Sequence, residues 1–214
     1  MNYTEYFKEY YKNHPVTSII IIINLVMGIV VMFSGGFSIT NLISWGAILP
    51  PLITEQGEYY RIITAMALHG SVLHFLMNSY VLFYIGGHLE RFIGPKRYLL
   101  VYMVAGIVSS LFVVFFGEPN VVTIGASGAI FGVMGGLFML TIKKANWFHP
   151  QAIRSIRNLM LINLIFTFVI PNISIPGHLG GLVAGVLLFF VITPDEPHFT
   201  RYMVPGARDQ YMSE

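Results

Sequence analysis

The sequence predicts an all-α membrane protein, six transmembrane helices joined by mostly short connections and one long amphipathic first outer loop. Three observations carry this prediction. Of the 214 residues, 55% are hydrophobic and only 10% are Asp, Glu, Lys or Arg, where a soluble domain carries about 25% charged residues. The apolar residues gather into six runs of roughly 15–19 residues, near the length a helix needs to cross a bilayer. Eleven of the 12 Lys and Arg fall in alternate connections, the asymmetry of a chain that keeps its positive loops in the cytoplasm. The same composition excludes an ordinary soluble enzyme and a disordered chain. A net charge of +2 gives no footing for nucleic-acid binding. The chain has no cysteine, which excludes disulfides, thiolate metal sites and cysteine nucleophiles.

The elements follow in order. Residues 1–15 form a polar, aromatic cytoplasmic segment in which Lys8 and Lys12 balance Glu5 and Glu9. Residues 16–193 form the membrane domain, and residues 194–214 a hydrophilic cytoplasmic tail without a readable motif. The six spans are predicted at Val16–Phe33, Ser71–Leu89, Tyr98–Phe116, Ser127–Ile142, Ile156–Ile170 and His178–Ile192. The first is too long for a signal peptide, and apolar sequence continues after it. Arg61 is the one cation on the outer side; Arg91, Lys96, Arg97, Lys143, Lys144, Arg154, Arg157, Arg201 and Arg208 join Lys8 and Lys12 inside. Both termini are therefore expected in the cytoplasm of a multi-pass cell-membrane protein. The first outer loop, 34–70, is apolar (Ile43, Trp45, Ile48, Leu52) and interrupted by Pro50-Pro51. Amphipathic pieces in the headgroup region, anchored by Trp45, Tyr59 and Tyr60, fit it better than a seventh span, which would destroy the charge asymmetry.

Polar groups inside spans are costly and mark function. His74 and Asn78 are four apart in the second span and share one helical face. Ser127 opens the fourth span within Gly125-Ala126-Ser127-Gly128, and His178 opens the sixth after Gly177. At about 1.5 Å of rise per residue, each lies roughly 20–25 Å above the cytoplasmic end of its helix, so three helices bring four polar groups to one layer. Gly128, Gly132 and Gly136 on the fourth span, and Gly177, Gly181 and Gly185 on the sixth, repeat every four residues, a pattern that lets membrane helices approach closely.

The chemistry this layer permits is specific. A serine hydroxyl is a weak nucleophile until a base takes its proton, and histidine is the usual base. Free backbone N–H groups at the helix start beside Ser127, with Asn78 and His74, are donors of the kind that hold an oxyanion. All ten acidic residues lie outside the spans or at their ends, so the expected machinery is a Ser–His dyad, with the Phe131 ring packing against His178. A competing reading takes His69, His74 and His178 as a metal or transport layer; no carboxylate or thiolate accompanies them, and Ser127 would have no task.

These residues resemble the rhomboid family of intramembrane serine proteases. Gly125-Ala-Ser127-Gly128 looks like the family's Gly-x-Ser-Gly nucleophile motif, and His69 through Asn78 is similar to its His-x4-His-x3-Asn pattern. His178-Leu-Gly-Gly181-Leu-Val-Ala-Gly185 is similar to its general-base histidine with Gly-x-x-x-Gly, and Gly86-Gly87, Glu90-Arg91 and Gly94 also look familial. The resemblance implies a six-helix rhomboid-like bundle around a water-filled cavity open to the outside. It implies Ser127 as nucleophile, His178 as general base, and His74, Asn78 and the Ser127 N–H as oxyanion donors. Phe131, His69, Gly125, Gly128, Gly181 and Gly185 would support them. It further implies cleavage of transmembrane protein substrates through an acyl-enzyme, after a small side chain where the substrate helix unwinds, with no metal or cofactor. Three departures stand out: Tyr60-Arg61 where relatives often have Trp-Arg, Phe131 where they often have Tyr, and a chain that ends soon after the sixth helix. A non-proteolytic role in binding membrane helices and a His-based metal or transport role are the remaining alternatives. The last three apolar runs, only 15–16 residues or roughly 22–24 Å, are expected to thin the bilayer and admit water. The second and fifth helices are the expected entrance walls, with loops 34–70 and 171–177 as caps.

Overall fold

Each of the six apolar runs is helical in the computed structural model, which describes residues 2–203. Helix α1 (Tyr3–Asn13) starts at a reciprocal cap: the Asn2 side chain accepts the Glu5 N–H at 3.1 Å, and the Glu5 carboxylate accepts the Asn2 N–H at 3.2 Å. One residue later α2 (Pro15–Ser34) begins with Pro at its first position, where the missing N–H costs nothing. Short helices α3 (Ile39–Ser44), α4 (Pro50–Thr54) and α5 (Arg61–Thr64) build the first loop. The second span is α6 (Val72–Val81), a π turn at Leu82–Gly86, and α7 (Gly87–Ile93). Helices α8 (Pro95–Phe116), α9 (Ser127–Lys143), α10 (Pro150–Val169) and α11 (Ile175–Ile192) complete the bundle.

By length and composition α2, α8, α10 and α11 can each cross a membrane; the α6–α7 helix makes a fifth when taken with Arg61–Ala67, which it meets at 92°. Helix α9, at 17 residues, is shorter and is buried on nearly all sides from Gly128 to Leu140. The protein is a multi-pass helical membrane protein with α9 at its centre. Two boundaries correct the sequence reading. Helix α10 starts at Pro150, not Ile156, because its first two turns are polar yet helical; His149 caps them by accepting the Gln151 N–H at 3.3 Å. Helix α11 starts at Ile175, which leaves a shorter last outer loop. With 20 and 18 residues, α10 and α11 are long enough to span about 30 and 27 Å, so the expected thinning loses its basis in these two helices.

The core is a seam of α8, α9 and α11. A Cβ on Gly181 would overlap the carbonyl oxygen of Gly128, and one on Gly185 that of Gly132. Only glycine permits this backbone-on-backbone contact, which substitutes for a hydrophobic driving force between helices. A Cβ on Gly128 would likewise overlap the Ser109 hydroxyl of α8, and one on Gly132 the Ala105 side chain.

Long-range polar contacts tie the second span to the first. The buried Glu90 carboxylate accepts the Val16 and Thr17 N–H groups at 2.9 Å each and the Thr17 hydroxyl at 2.7 Å, filling the open amides at the start of α2. Tyr10 stacks on Phe83 at 4.0 Å and donates its hydroxyl to the Phe83 carbonyl in the π turn. His14, its ring tilted against Tyr10 at 4.5 Å, is held down to about 4 by burial, then by the Arg91 and His88 charges. At the other end the tail packs too: Phe199 meets Phe92 at 5.6 Å, Arg91 lies 4.7 Å over the Phe199 ring, and Thr200 is buried. The rest of the tail, 204–214, lies outside the described residues.

In the first loop, Trp45, Tyr59 and Tyr60 are exposed, suiting interfacial anchors. Arg61 is the surprise, 4% exposed. It pairs with Glu58 and donates to the carbonyls of Ile43 at 2.7 Å and Ala47 at 2.9 Å, so it braces the loop from within.

Candidate active site

Ser127 is the first residue of α9. Its own N–H and those of Gly128 and Ala129 have no acceptor within the helix, as at any helix start. The approach to it is fixed by an isolated antiparallel bridge, Ile48 with Thr123, whose N–H···O distances are 3.0 and 2.9 Å. The Gly125 N–H then donates to the Ala65 carbonyl at 2.9 Å. Gly125 has φ +118°, and a Cβ there would sit 2.9–3.0 Å from the His74 ring and 3.7 Å from the Asn78 amide nitrogen. Glycine is required twice over, by backbone conformation and by the two polar side chains pressed against it.

His74 and Asn78 thus face the turn that delivers Ser127. Asn78 is buried and its NH2 group has no hydrogen-bond partner. Buried donors are nearly always paired, so an open one beside a serine at a helix start marks a place where an acceptor belongs. His69 is 1% exposed and stands edge-on to His74, ring centroids 5.0 Å apart. It touches His74 and Phe75.

His178 lies in the first turn of α11, where the Ser174 hydroxyl accepts the Gly177 N–H at 3.2 Å. The Phe131 ring, one turn below Ser127, stacks on its imidazole at 4.1 Å and 21°. Its Nδ1 lies 2.9 Å from the Thr167 hydroxyl of α10. Ser127 and His178 line the same cavity, with Gly125, Gly128, Ser109 and Ser174 among its walls. The cavity holds about 20 Å³, room for about one water. Ile48, Ala65 and Met66 of the first loop also line it. Among the described residues, no group of three or more His, Asp or Glu is placed to hold a metal ion.

Comparison with known proteins follows the same path as the geometry. The Rhomboid domain matches residues 56–195, more than half of the chain. The chain belongs to the rhomboid family. It is 36% identical over 171 residues to rhomboid protease GluP of Bacillus subtilis (strain 168), covering 79% of this chain and 33% of that relative. To the rhomboid protein YdcA of the same organism it is 30% identical over 190 residues, 88% of this chain and 94% of the relative. It is also 31% identical over 151 residues, 70% of this chain and 42% of the relative, to a protein of Arabidopsis thaliana named Inactive RHOMBOID-like protein 8. The chain thus spans about a third of GluP and nearly all of YdcA.

Within this rhomboid domain, Ser127, His178, Gly125 and Gly128 gather at one cavity, and His74 and Asn78 abut its Gly125 wall. Gly181 and Gly185 lie deeper, in the seam. The sequence reading passed over Thr167 and Ser109. Thr167 is a hydroxyl inside an apolar run, and Ser109 is a small polar residue opposite two of the glycines; both signals were present in the polar-in-span rule.

Proposed function

We propose that this rhomboid is an intramembrane serine endopeptidase acting on transmembrane segments of other membrane proteins. The observation that carries the reading is that Ser127, at the start of α9, and His178 of α11 line one cavity. Ser127 Oγ attacks the scissile carbonyl carbon while His178 takes the hydroxyl proton. The tetrahedral oxyanion is held by the Asn78 amide, a His74 ring N–H and the Ser127 backbone N–H. The carbon–nitrogen bond breaks as the imidazolium returns its proton to the leaving amine. Water, activated by the same imidazole, then hydrolyses the Ser127 ester. The unpaired Asn78 NH2 supports this role, since the oxyanion supplies the acceptor it lacks. No metal or cofactor is needed. The distribution of Lys and Arg supports cytoplasmic termini, with the cavity toward the outer face of the cell membrane.

The test uses the purified protein in liposomes with a fluorophore-labelled single-span peptide carrying small residues before a helix-breaking pair. Wild type should cleave it, and Ser127→Ala and His178→Ala should abolish turnover. Asn78→Ala should lose about 10²–10³-fold in kcat, the scale of one oxyanion donor. Wild-type protein that binds the peptide without cutting it, or turnover that survives Ser127→Ala, would overturn the assignment.

A further inference from the structure

We infer that Thr167 of α10 is a positioning residue for the general base, holding His178 in the tautomer whose second nitrogen is free to take the Ser127 proton. The inference rests on the Ser127–His178 reading and extends it to a helix that the dyad leaves out.

The geometry is specific. The Thr167 hydroxyl is 3.0 Å from the Asn163 carbonyl one turn back and 2.9 Å from His178 Nδ1. A hydroxyl has one proton to give and two lone pairs to offer. Donated to the Asn163 carbonyl, its proton leaves a lone pair directed at Nδ1, so Nδ1 must bear the hydrogen. The imidazole then has Nε2 unprotonated, the form a general base requires. The one carboxylate buried within the described spans, Glu90, is engaged by Val16 and Thr17, and Thr167 is 1% exposed, where an unpaired hydroxyl would be costly. Phe131 fixes the plane of the ring from its face, and Thr167 fixes its rotation from its edge.

The second observation concerns α10 as a whole. Thr167 is its only fully buried residue. The rest of the helix presents Leu161, Ile165, Phe166, Phe168 and Val169 outward. A helix that buries one side chain, and buries it on the imidazole, makes the state of the base depend on where that helix sits. With α10 drawn away from α11, Nδ1 loses its acceptor and the two neutral tautomers compete.

Two measurements decide the matter. The first is the kinetics of Thr167→Val, which keeps the shape and removes the hydroxyl, against Thr167→Ser, which keeps the hydroxyl, on the same labelled peptide. Thr167→Val should lower kcat about tenfold, the worth of one hydrogen bond, with KM unchanged, and Thr167→Ser should stay near wild type. The second is nitrogen NMR of histidine-labelled protein, the His178 signals being those lost in His178→Ala. Wild type and Thr167→Ser should show the Nδ1–H tautomer, and Thr167→Val a mixture. Unchanged kcat in Thr167→Val, or an Nε2–H tautomer in wild type, overturns the inference while an inert Ser127→Ala leaves the dyad standing. Turnover that survives Ser127→Ala sinks both. The wild-type spectrum decides even where Thr167→Val fails to fold.

Discussion

Helices α9 and α10 are neighbours of opposite construction. Helix α9 is buried from Gly128 to Leu140 and meets α11 backbone to backbone. Helix α10 is attached at two polar points. Near one end Arg157 donates to the Thr141 hydroxyl and carbonyl at 3.2 and 3.0 Å; near the other Thr167 meets His178. The contrast separates two demands. The elements that carry Ser127 and His178 are locked by contacts that tolerate no added atom. The helix beside them is held by these hydrogen bonds and by Ile156 packed against the core, with Thr167 its one fully buried residue. Precision is concentrated in the seam, and freedom in the flank.

The sharpest way to break the comparison is in the seam. Gly181→Val should cost about 3 kcal/mol or more, because the new Cβ overlaps the Gly128 carbonyl and neither backbone can yield. Thermal unfolding in detergent reads this directly. Leu161→Ala on the outward face of α10 should stay within about 0.5 kcal/mol, and comparable losses at both positions would erase the distinction. Next comes the brace of the first loop. Arg61→Ala strands the Ile43 and Ala47 carbonyls and the Glu58 charge, for an expected loss of about 2 kcal/mol. Its signature is faster protease nicking within residues 34–70. The smallest effect lies at the junction of α1 and α2. The His14 imidazole titrates at about 4 when docked and near 6.5 when released. Release therefore takes up a proton between those values. Docking of α1 is complete above about pH 6.5 and weakens as pH falls toward 4, measurable as rising protease access to residues 3–13.

The parts of this molecule that repeat or alternate were legible before any coordinates. Glycine every four residues announces close helices because nothing else in a membrane span rewards that pattern, and Gly128 and Gly181 do touch. Ser127, His178, His74 and Asn78 could be set at one depth from helical rise alone. Thr167 was not legible. A threonine in a helix can satisfy itself on the carbonyl one turn back, so it looks self-sufficient until a second partner is seen. In the sequence Arg61 reads only as the one cation of the outer loops, because its acceptors are backbone carbonyls 18 and 14 residues away, and carbonyls have no signature in sequence. The start of α10 was missed because Arg154 and Arg157 interrupt hydrophobicity without interrupting the helix.

The π turn at Leu82–Gly86 carries one last consequence. Such a turn takes in one residue more than the α turn it replaces. Elsewhere an added residue would swing everything beyond it by about 100° and 1.5 Å; here it is absorbed on the spot. The stretch is thus an expansion joint. Removing one residue from it should straighten the helix and leave His74 and Asn78 above, and Glu90 below, pointing where they point now. The same deletion a turn higher, between Asn78 and Leu82, has no such slack to draw on. Chains that differ by one residue at this joint can keep the same polar layer, and lining them up by helical phase alone would hide it.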